Sequence, residues 1–367
     1  MSYSITFAQK VTGQRISSAI PFKYPLDEEI PEVLFPERRI EFKEVISLCE
    51  ELTPIKYDHS SLVSFLQEDE ISIGNKDAVG KEVSKYLKET PGHTISAFLL
   101  CLPFKCPVPL KTGFETLPNL GEILFLFRLS KVTKLVSMHT PLTLHITLLE
   151  ETDALRSVFK VTKNHSDEFK SSLHRILEKI DGNEGVKIRS LAEIVSGTKD
   201  NYLKDLGLQI EQMKENIEQF RPSLQAVIPT IALSLQLDKF RLEDQRDFLL
   251  ELFSKETISE DDYPTLFSTA VGYLSYLEVV NKGIEDSVLK SQLKLSLHGS
   301  QKKFGIRATP STSNILPHHG VPIVSIKNGQ KSFEIKYFVD FLKESTVKDP
   351  TKICDPDGNF LYFEQKL

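Results

Sequence analysis

Two near-continuous apolar runs, ISAFLLCL at residues 95–102 and LTLHITLL at 142–149, bracket one helix-length pattern at 119–137. That arrangement constrains the fold more than any other feature of the chain. An apolar run of this length bounded by turn formers has the form of a strand buried on both faces, and such strands belong to parallel sheets covered by helices. Between the runs, Leu120, Ile123, Leu124, Phe127 and Leu135 fall on one helical face. Asn119 is a suitable N-cap, and Glu122 three residues on completes a capping box. Phe169, Leu173, Ile176, Leu177 and Ile180 repeat the helical spacing up to Asp181-Gly182. Strand, helix, strand, helix is the order of an α/β layer, so a Rossmann-like, mainly parallel sheet is expected.

Around that unit the chain divides into four stretches. Residues 1–38, punctuated by Pro21, Pro25, Pro31 and Pro36, read as an arm, and 39–185 as the α/β domain. A first helix is expected from Phe42, Val45, Ile46, Cys49 and Leu52, stopped by Pro54. Residues 186–290 carry helical spacing throughout, and 291–367 read as a β-rich part that completes the site. There Leu293, Leu295 and Leu297 alternate with Lys294, Ser296 and His298. After a turn, Phe304, Ile306 and Ala308 alternate with Gly305, Arg307 and Thr309, so the period of two predicts a hairpin over 293–309. Further strands are expected at 322–327 and 333–337, then a final helix from 337.

Composition narrows the function classes. With 45 basic and 51 acidic side chains the net charge is −6, whereas a duplex-binding surface needs a basic excess, so no nucleic-acid partner is expected. No apolar stretch approaches the ~20 residues of a membrane span, and the first residues show no basic-then-apolar leader pattern. Four scattered cysteines do not make a disulfide framework, which fits a reducing cytoplasmic setting. No phosphate-cradling glycine loop, H-E-x-x-H helix, G-x-S-x-G elbow or C-x-x-C pair is present, so neither a nucleotide cofactor nor a metal is expected.

Several residues could carry chemistry. Lys105 follows the first buried run, where open α/β sheets place ligands, and it is either a site cation or a solvated loop residue. Glu122 is explained by its capping box and becomes an acid or base only in the right surroundings. The helix start at Asn119 offers free N–H groups to an anion. Strand parity puts Lys294, Ser296 and His298 on one side, with Arg307 able to join them. That set could hold a phosphate or carboxylate and exchange a proton, or could be a solvated strand face. His318-His319 should point to opposite sides of an extended chain, which argues against a shared metal.

Four motifs in order carry a resemblance. Pro103-Phe104-Lys105-Cys106-Pro107 is followed by Pro118-Asn119-Leu120-Gly121-Glu122. Lys294-Leu295-Ser296-Leu297-His298-Gly299 comes later with the basic pair Lys302-Lys303, and then Leu316-Pro317-His318-His319. Together they resemble the P-F-K-S-P, P-D-L-G-E, R-L-S-I-H-P and T-P-W-H stretches of the pyoverdine/dityrosine biosynthesis family, the isocyanide synthases. Asn119, Lys294 and His318 stand where that family has Asp, Arg and Trp, and Glu150-Glu151 occupy the place of its D-G pair.

The resemblance implies a cofactor-free synthase that condenses an aromatic amino acid, Tyr or Trp, with ribulose 5-phosphate and leaves an isonitrile. A neighbouring branch delivers an N-formyl amino acid. A divergent member would bind a small anionic metabolite without making isonitriles. On this resemblance His298, Glu122, His319 and Lys105 are the expected catalytic groups, with Lys294, Ser296, Arg307 and Asn119 binding substrate. An iron/2-oxoglutarate oxygenase is the expected pathway partner.

Overall fold

The computed structural model describes residues 35–367 other than 91, 107, 114, 181–184, 233, 235–246, 250, 253, 256–258, 298–303 and 314, together with two short paired strands, β1 (Gln9–Val11) and β2 (Gln14–Ile16). The expected arm at 1–38 thus lies mostly outside the described residues, and His298 lies outside them too.

Two sheets build the rest. The larger contains β4 (Ser72–Ile73), β5 (Thr94–Cys101), β6 (Thr143–Glu150), β7 (Val186–Ser190), β8 (Leu293–Ser296) and β9 (Phe304–Ile306), in the spatial order β4-β9-β8-β5-β6-β7. All neighbours in it are parallel except β4 with β9. The expected strand–helix–strand unit is its centre. β5 leads through helix Leu120–His139 to β6, which lies beside β5 with Ile95 opposite Leu144 and Cys101 opposite Glu150. Helix Lys163–Lys179 then leads to β7.

Neither apolar run is buried on both faces along its full length. Ser96, His145 and Thr147 are half-buried, and both faces are fully buried only through Ala97, Phe98 and Leu99 in β5 and towards the carboxyl end of β6. The helix between the strands is the more enclosed element, with residues from Leu120 to Leu129 buried all round because it also packs on the second sheet.

From β7 the chain returns across the sheet through helices Leu191–Ser196, Lys199–Glu215, Ile217–Ala232 and Pro264–Asp286, and enters β8 on the other side of β5. Strand order therefore runs outward in both directions from the β5/β8 pair. In doubly wound sheets such a reversal opens a crevice at the strands' carboxyl ends, and ligands bind there.

The expected hairpin over 293–309 is corrected: β8 and β9 are parallel, with Leu295 opposite Phe304 and Ser296 opposite Gly305. Parallel neighbours ordinarily need a long crossover. Here β9 starts level with the end of β8, so the connection steps back by about one residue rather than a whole strand. The alternation within β8 holds, with Leu293 and Leu295 buried and Lys294 exposed.

The true C-terminal hairpin is β10 (Val321–Lys327) with β11 (Gln330–Lys336), antiparallel through the two-residue turn Asn328-Gly329. Both turn residues have positive φ, 51° and 80°, as a type I′ turn requires. With β12 (Thr351–Cys354), β13 (Phe360–Lys366) and β3 (Glu37–Arg39) it forms a five-stranded sheet in the order β11-β10-β13-β12-β3. That sheet packs Val324, Phe333, Ile335 and Ile353 against Leu120, Ile123, Leu124 and Phe127. No helix among the described residues is long and apolar enough to cross a membrane.

Candidate functional site

The loop after β5 opens on Leu102, whose φ of 54° puts a fully buried leucine in the left-handed region. Such backbone costs an L-residue about 1–2 kcal/mol and persists where surrounding structure over-determines it, often at functional edges. The turn it makes sends Pro103-Phe104-Lys105 from the carboxyl edge of the sheet towards the second sheet.

Lys105 and Glu122 meet, as their positions at a strand end and the next helix start suggest. Lys105 Nζ donates to both Glu122 oxygens, at 2.8 and 3.0 Å, and to the Pro317 carbonyl at 3.0 Å. Glu122 also accepts the Asn119 backbone N–H at 2.9 Å, and Asn119 Oδ1 accepts from Gly121 N at 3.0 Å. All three are fully buried. An ammonium has three N–H bonds, and each is used here, so Lys105 has none left for a phosphate. The Asn119 amide nitrogen is buried without a hydrogen-bond partner among the described residues.

The 3-10 turn Pro317–His319 completes this cluster. Cys106 N donates to the His318 carbonyl at 2.8 Å, and a Cβ on Gly121 would stand 3.3 Å from Pro317 Cβ. His318 and His319 do not diverge as on an extended strand. Their rings lie 4.3 Å apart, because the backbone there is helical. His319 is half-buried and His318 buried.

The other expected residues that are described lie on β8 and just after β9. Arg307 is spent on the sheet's far edge, where its side chain donates to the Asp69 carbonyl at 2.6 Å and its backbone N–H to the Ile71 carbonyl at 2.7 Å. It therefore does not join a polar face with Lys294. Lys294 and Ser296 lie on β8 beside β5, with Lys294 level with Phe98, so Ser296 ends its strand near the strand-order reversal.

A second group at the carboxyl edge was not among the expected site residues. β6 ends in Glu150, which is 2% exposed, forms an ion pair with Lys170 Nζ at 2.5 Å and accepts the Thr152 N–H at 2.9 Å. The adjacent Glu151 is half-buried and accepts a hydrogen bond from the Tyr276 hydroxyl. Burial pushes the Glu151 carboxyl up to about 7, opposed by the Tyr276 hydrogen bond and aided by the Glu150 charge. Nearby charges are otherwise paired: Asp153 is held by Lys170 and Lys199, and its carboxyl stays below the ordinary range because those ammonium groups outweigh burial.

A run of aromatic rings extends from the Glu151–Tyr276 pair. Tyr273 stacks on Tyr276 with centroids 5.9 Å apart, Phe159 meets Tyr273 edge-on at 5.9 Å, and Phe104 meets Phe159 at 6.1 Å. His165 touches Phe104 at 6.4 Å and hydrogen-bonds the Lys105 backbone. Its burial lowers the imidazole pKa, and Nε2 has no hydrogen-bond partner among the described residues. A carboxyl able to exchange a proton near neutral pH, a phenol donor and aromatic walls can accept a flat, amine-bearing molecule.

The rule that selected Lys105, a polar residue just past a buried run, selects Glu151 as well. Tyr276 lies 125 residues further on in a helix, and nothing local marks it.

Comparison with known proteins agrees with this architecture. A family model described as pyoverdine/dityrosine biosynthesis protein matches residues 83–340. The crystal structure of the PvcA protein from Pseudomonas aeruginosa superposes with a TM-score of 0.57 at 15% identity, covering 87% of this chain and 99% of that one. No curated protein matches the chain in sequence.

Proposed function

This chain belongs to the pyoverdine/dityrosine biosynthesis family, and from that premise we propose that it is an isonitrile synthase acting on an aromatic amino acid and ribulose 5-phosphate. The family match over 83–340 carries the reading. The carboxyl-edge group supports it, because Glu151, Tyr276 and the rings of Tyr273, Phe159 and Phe104 suit an aromatic amino acid.

In this reading Glu151 accepts a proton from the substrate ammonium, since a carboxylate of pKa about 7 is matched to that task at neutral pH. The freed amine becomes bonded to the sugar's ketone carbon, whose oxygen is lost as water, and an imine forms. Breaking both carbon–carbon bonds of that carbon then leaves it on nitrogen as the isonitrile, while the sugar carbons on either side are released as separate fragments. Tyr276 holds the carboxylate in place through its hydroxyl. The Lys105–Glu122–Pro317 cluster fixes the loop that carries Phe104.

The test is mass spectrometry of Tyr or Trp incubated with ribulose 5-phosphate and the protein. An isonitrile product is expected. An N-formyl product instead would place the chain in the dityrosine branch, and no product from either amino acid would overturn the synthase reading. The saturated Lys105 and the substituted Asn119, Lys294 and His318 favour the second reading, in which a divergent member binds a small anionic metabolite.

A further inference from the structure

Two lysines in the loop after β5 are buried, and they differ in what surrounds the amine. Lys105 has three acceptors. Lys111, on the short helix Pro109–Thr112, is 6% exposed and has no carboxylate or carbonyl acceptor among the described residues. What faces it is the ring of Tyr337, 5.9 Å from Nζ, and the buried thiol of Cys106.

A cation–π contact replaces only part of the hydration that burial takes from an ammonium. Burial accordingly lowers the Lys111 pKa, with only Cys106 opposing it. Cys106 and Tyr337 are themselves pushed up by burial, so both keep their protons and neither supplies an anion. These surroundings disfavour the ammonium relative to the neutral amine, which is the nucleophilic form of lysine.

The position is as suggestive as the surroundings. Lys111 lies in the connection leaving the carboxyl end of β5, beside the strand-order reversal. Its loop is held firmly: Thr112 Oγ1 donates to the Cys106 carbonyl at 2.8 Å, and the Phe338 ring closes over Gly113, whose φ is 65°. A lysine on a fixed loop is pre-organised for attack.

We propose that Lys111 is an imine-forming lysine that condenses through Nζ with the carbonyl group of a small sugar phosphate. The substrate class rests on the function proposed above. Nζ attacks the carbonyl carbon, a C–N bond forms, and the carbonyl oxygen leaves as water with both amine hydrogens. The amino group of the second substrate then displaces Nζ, carries the carbon away as its own imine, and restores the free lysine. No oxidant or reductant is needed.

Full-length protein incubated with ribulose 5-phosphate and sodium cyanoborohydride tests this by peptide mass mapping. A reduced adduct on the peptide containing Lys111 is expected, and it should be missing in Lys111→Arg. That variant keeps the charge, so a neutral nucleophile predicts a loss of product by more than ~1,000-fold, whereas a mere anion anchor would survive. Product-forming protein without an adduct at Lys111, or Lys111→Arg with near-normal turnover, overturns the proposal while leaving the synthase reading intact. Protein that makes no isonitrile but traps ribulose 5-phosphate or glyceraldehyde 3-phosphate at Lys111 overturns that reading and upholds this one. Trapping on the unaltered protein does not depend on whether the variant folds.

Discussion

Lys105 and Glu151 lie just beyond the carboxyl ends of neighbouring strands, β5 and β6, and a position-based reading treats them alike. Their surroundings do not. Lys105 is fully buried and has spent every N–H on Glu122 and Pro317. Glu151 is half-buried, faces a phenol and a row of rings, and titrates near neutrality. The difference teaches that remaining hydrogen-bonding capacity, rather than place on the sheet, separates a group committed to holding the fold from one still open to a ligand.

The most damaging way to probe the contrast is Glu122→Gln. It leaves the Lys105 ammonium buried against a neutral amide, and removing one partner of a buried pair costs about 3–5 kcal/mol. Urea unfolding should report that loss. The joint replacement Lys105→Met with Glu122→Leu should recover much of it, because no charge then remains buried. If Glu122→Gln is as stable as the parent and fails only in turnover, Glu122 belongs to the chemistry and the contrast collapses.

On the open side, Glu151→Gln should fold and lose product formation by roughly 100-fold or more, the range for a positioned acid or base. The sign of its pH effect follows from the raised carboxyl. Folded protein binds this proton more tightly than unfolded chain, so the Glu151 contribution to stability is complete below about 4.5 and is lost as pH rises through about 7. Urea midpoints at pH 5 and pH 8 should therefore differ less in Glu151→Gln than in the parent. Tyr276→Phe removes the hydrogen bond that opposes the upward shift, so the rising limb of the rate profile should move to higher pH. A limb that stays in place would show that Glu151 does not control it.

Gly121→Ala asks how tightly the closed cluster is packed. The added methyl would meet Asn119 Oδ1 at 3.2 Å and Pro317 Cβ at 3.3 Å, so either the helix start or the 3-10 turn has to give. Overpacking of this kind costs about 1–3 kcal/mol, read as a lower urea midpoint. Because the turn supplies the third acceptor of Lys105, the variant should also be less additive with Glu122→Gln than distant substitutions are.

Local chemistry explains what was legible in the sequence. The capping box at Asn119 and Glu122, the helix stopped by Pro54 and the alternation of Leu293, Lys294 and Leu295 are short-range signals, and each appears in the structure. The parallel pairing of β8 with β9 was not legible, because alternation specifies which face a residue takes but not the direction of its neighbour. The Glu151–Tyr276 pair was hidden for a related reason: its halves come from the residue just after β6 and from a helix 125 residues later, joined only by tertiary packing. Lys111 carries no sequence mark, since its lack of acceptors exists only once the loop is buried.

Asn328-Gly329, by contrast, is a strong local signal for a hairpin, and it marks the turn that the reading at 293–309 misplaced. Gly329→Ala isolates what that signal contributes. Its φ is 80°, and a Cβ there would meet nothing within 4 Å, so the cost is conformational and not steric. An L-residue held in the left-handed region loses about 1 kcal/mol relative to glycine. The turn lies outside the Lys105 cluster and the Glu151 group, so turnover should be unchanged while the urea midpoint falls slightly. The register from Val321 opposite Lys336 to Lys327 opposite Gln330 should persist, because β11 buries only the face that carries Phe333 and Ile335 and a one-residue slip of that strand would expose both. A loss much above 1 kcal/mol would mean that the turn sets this register, and the buried alternation of β11 would then have to be regarded as its consequence.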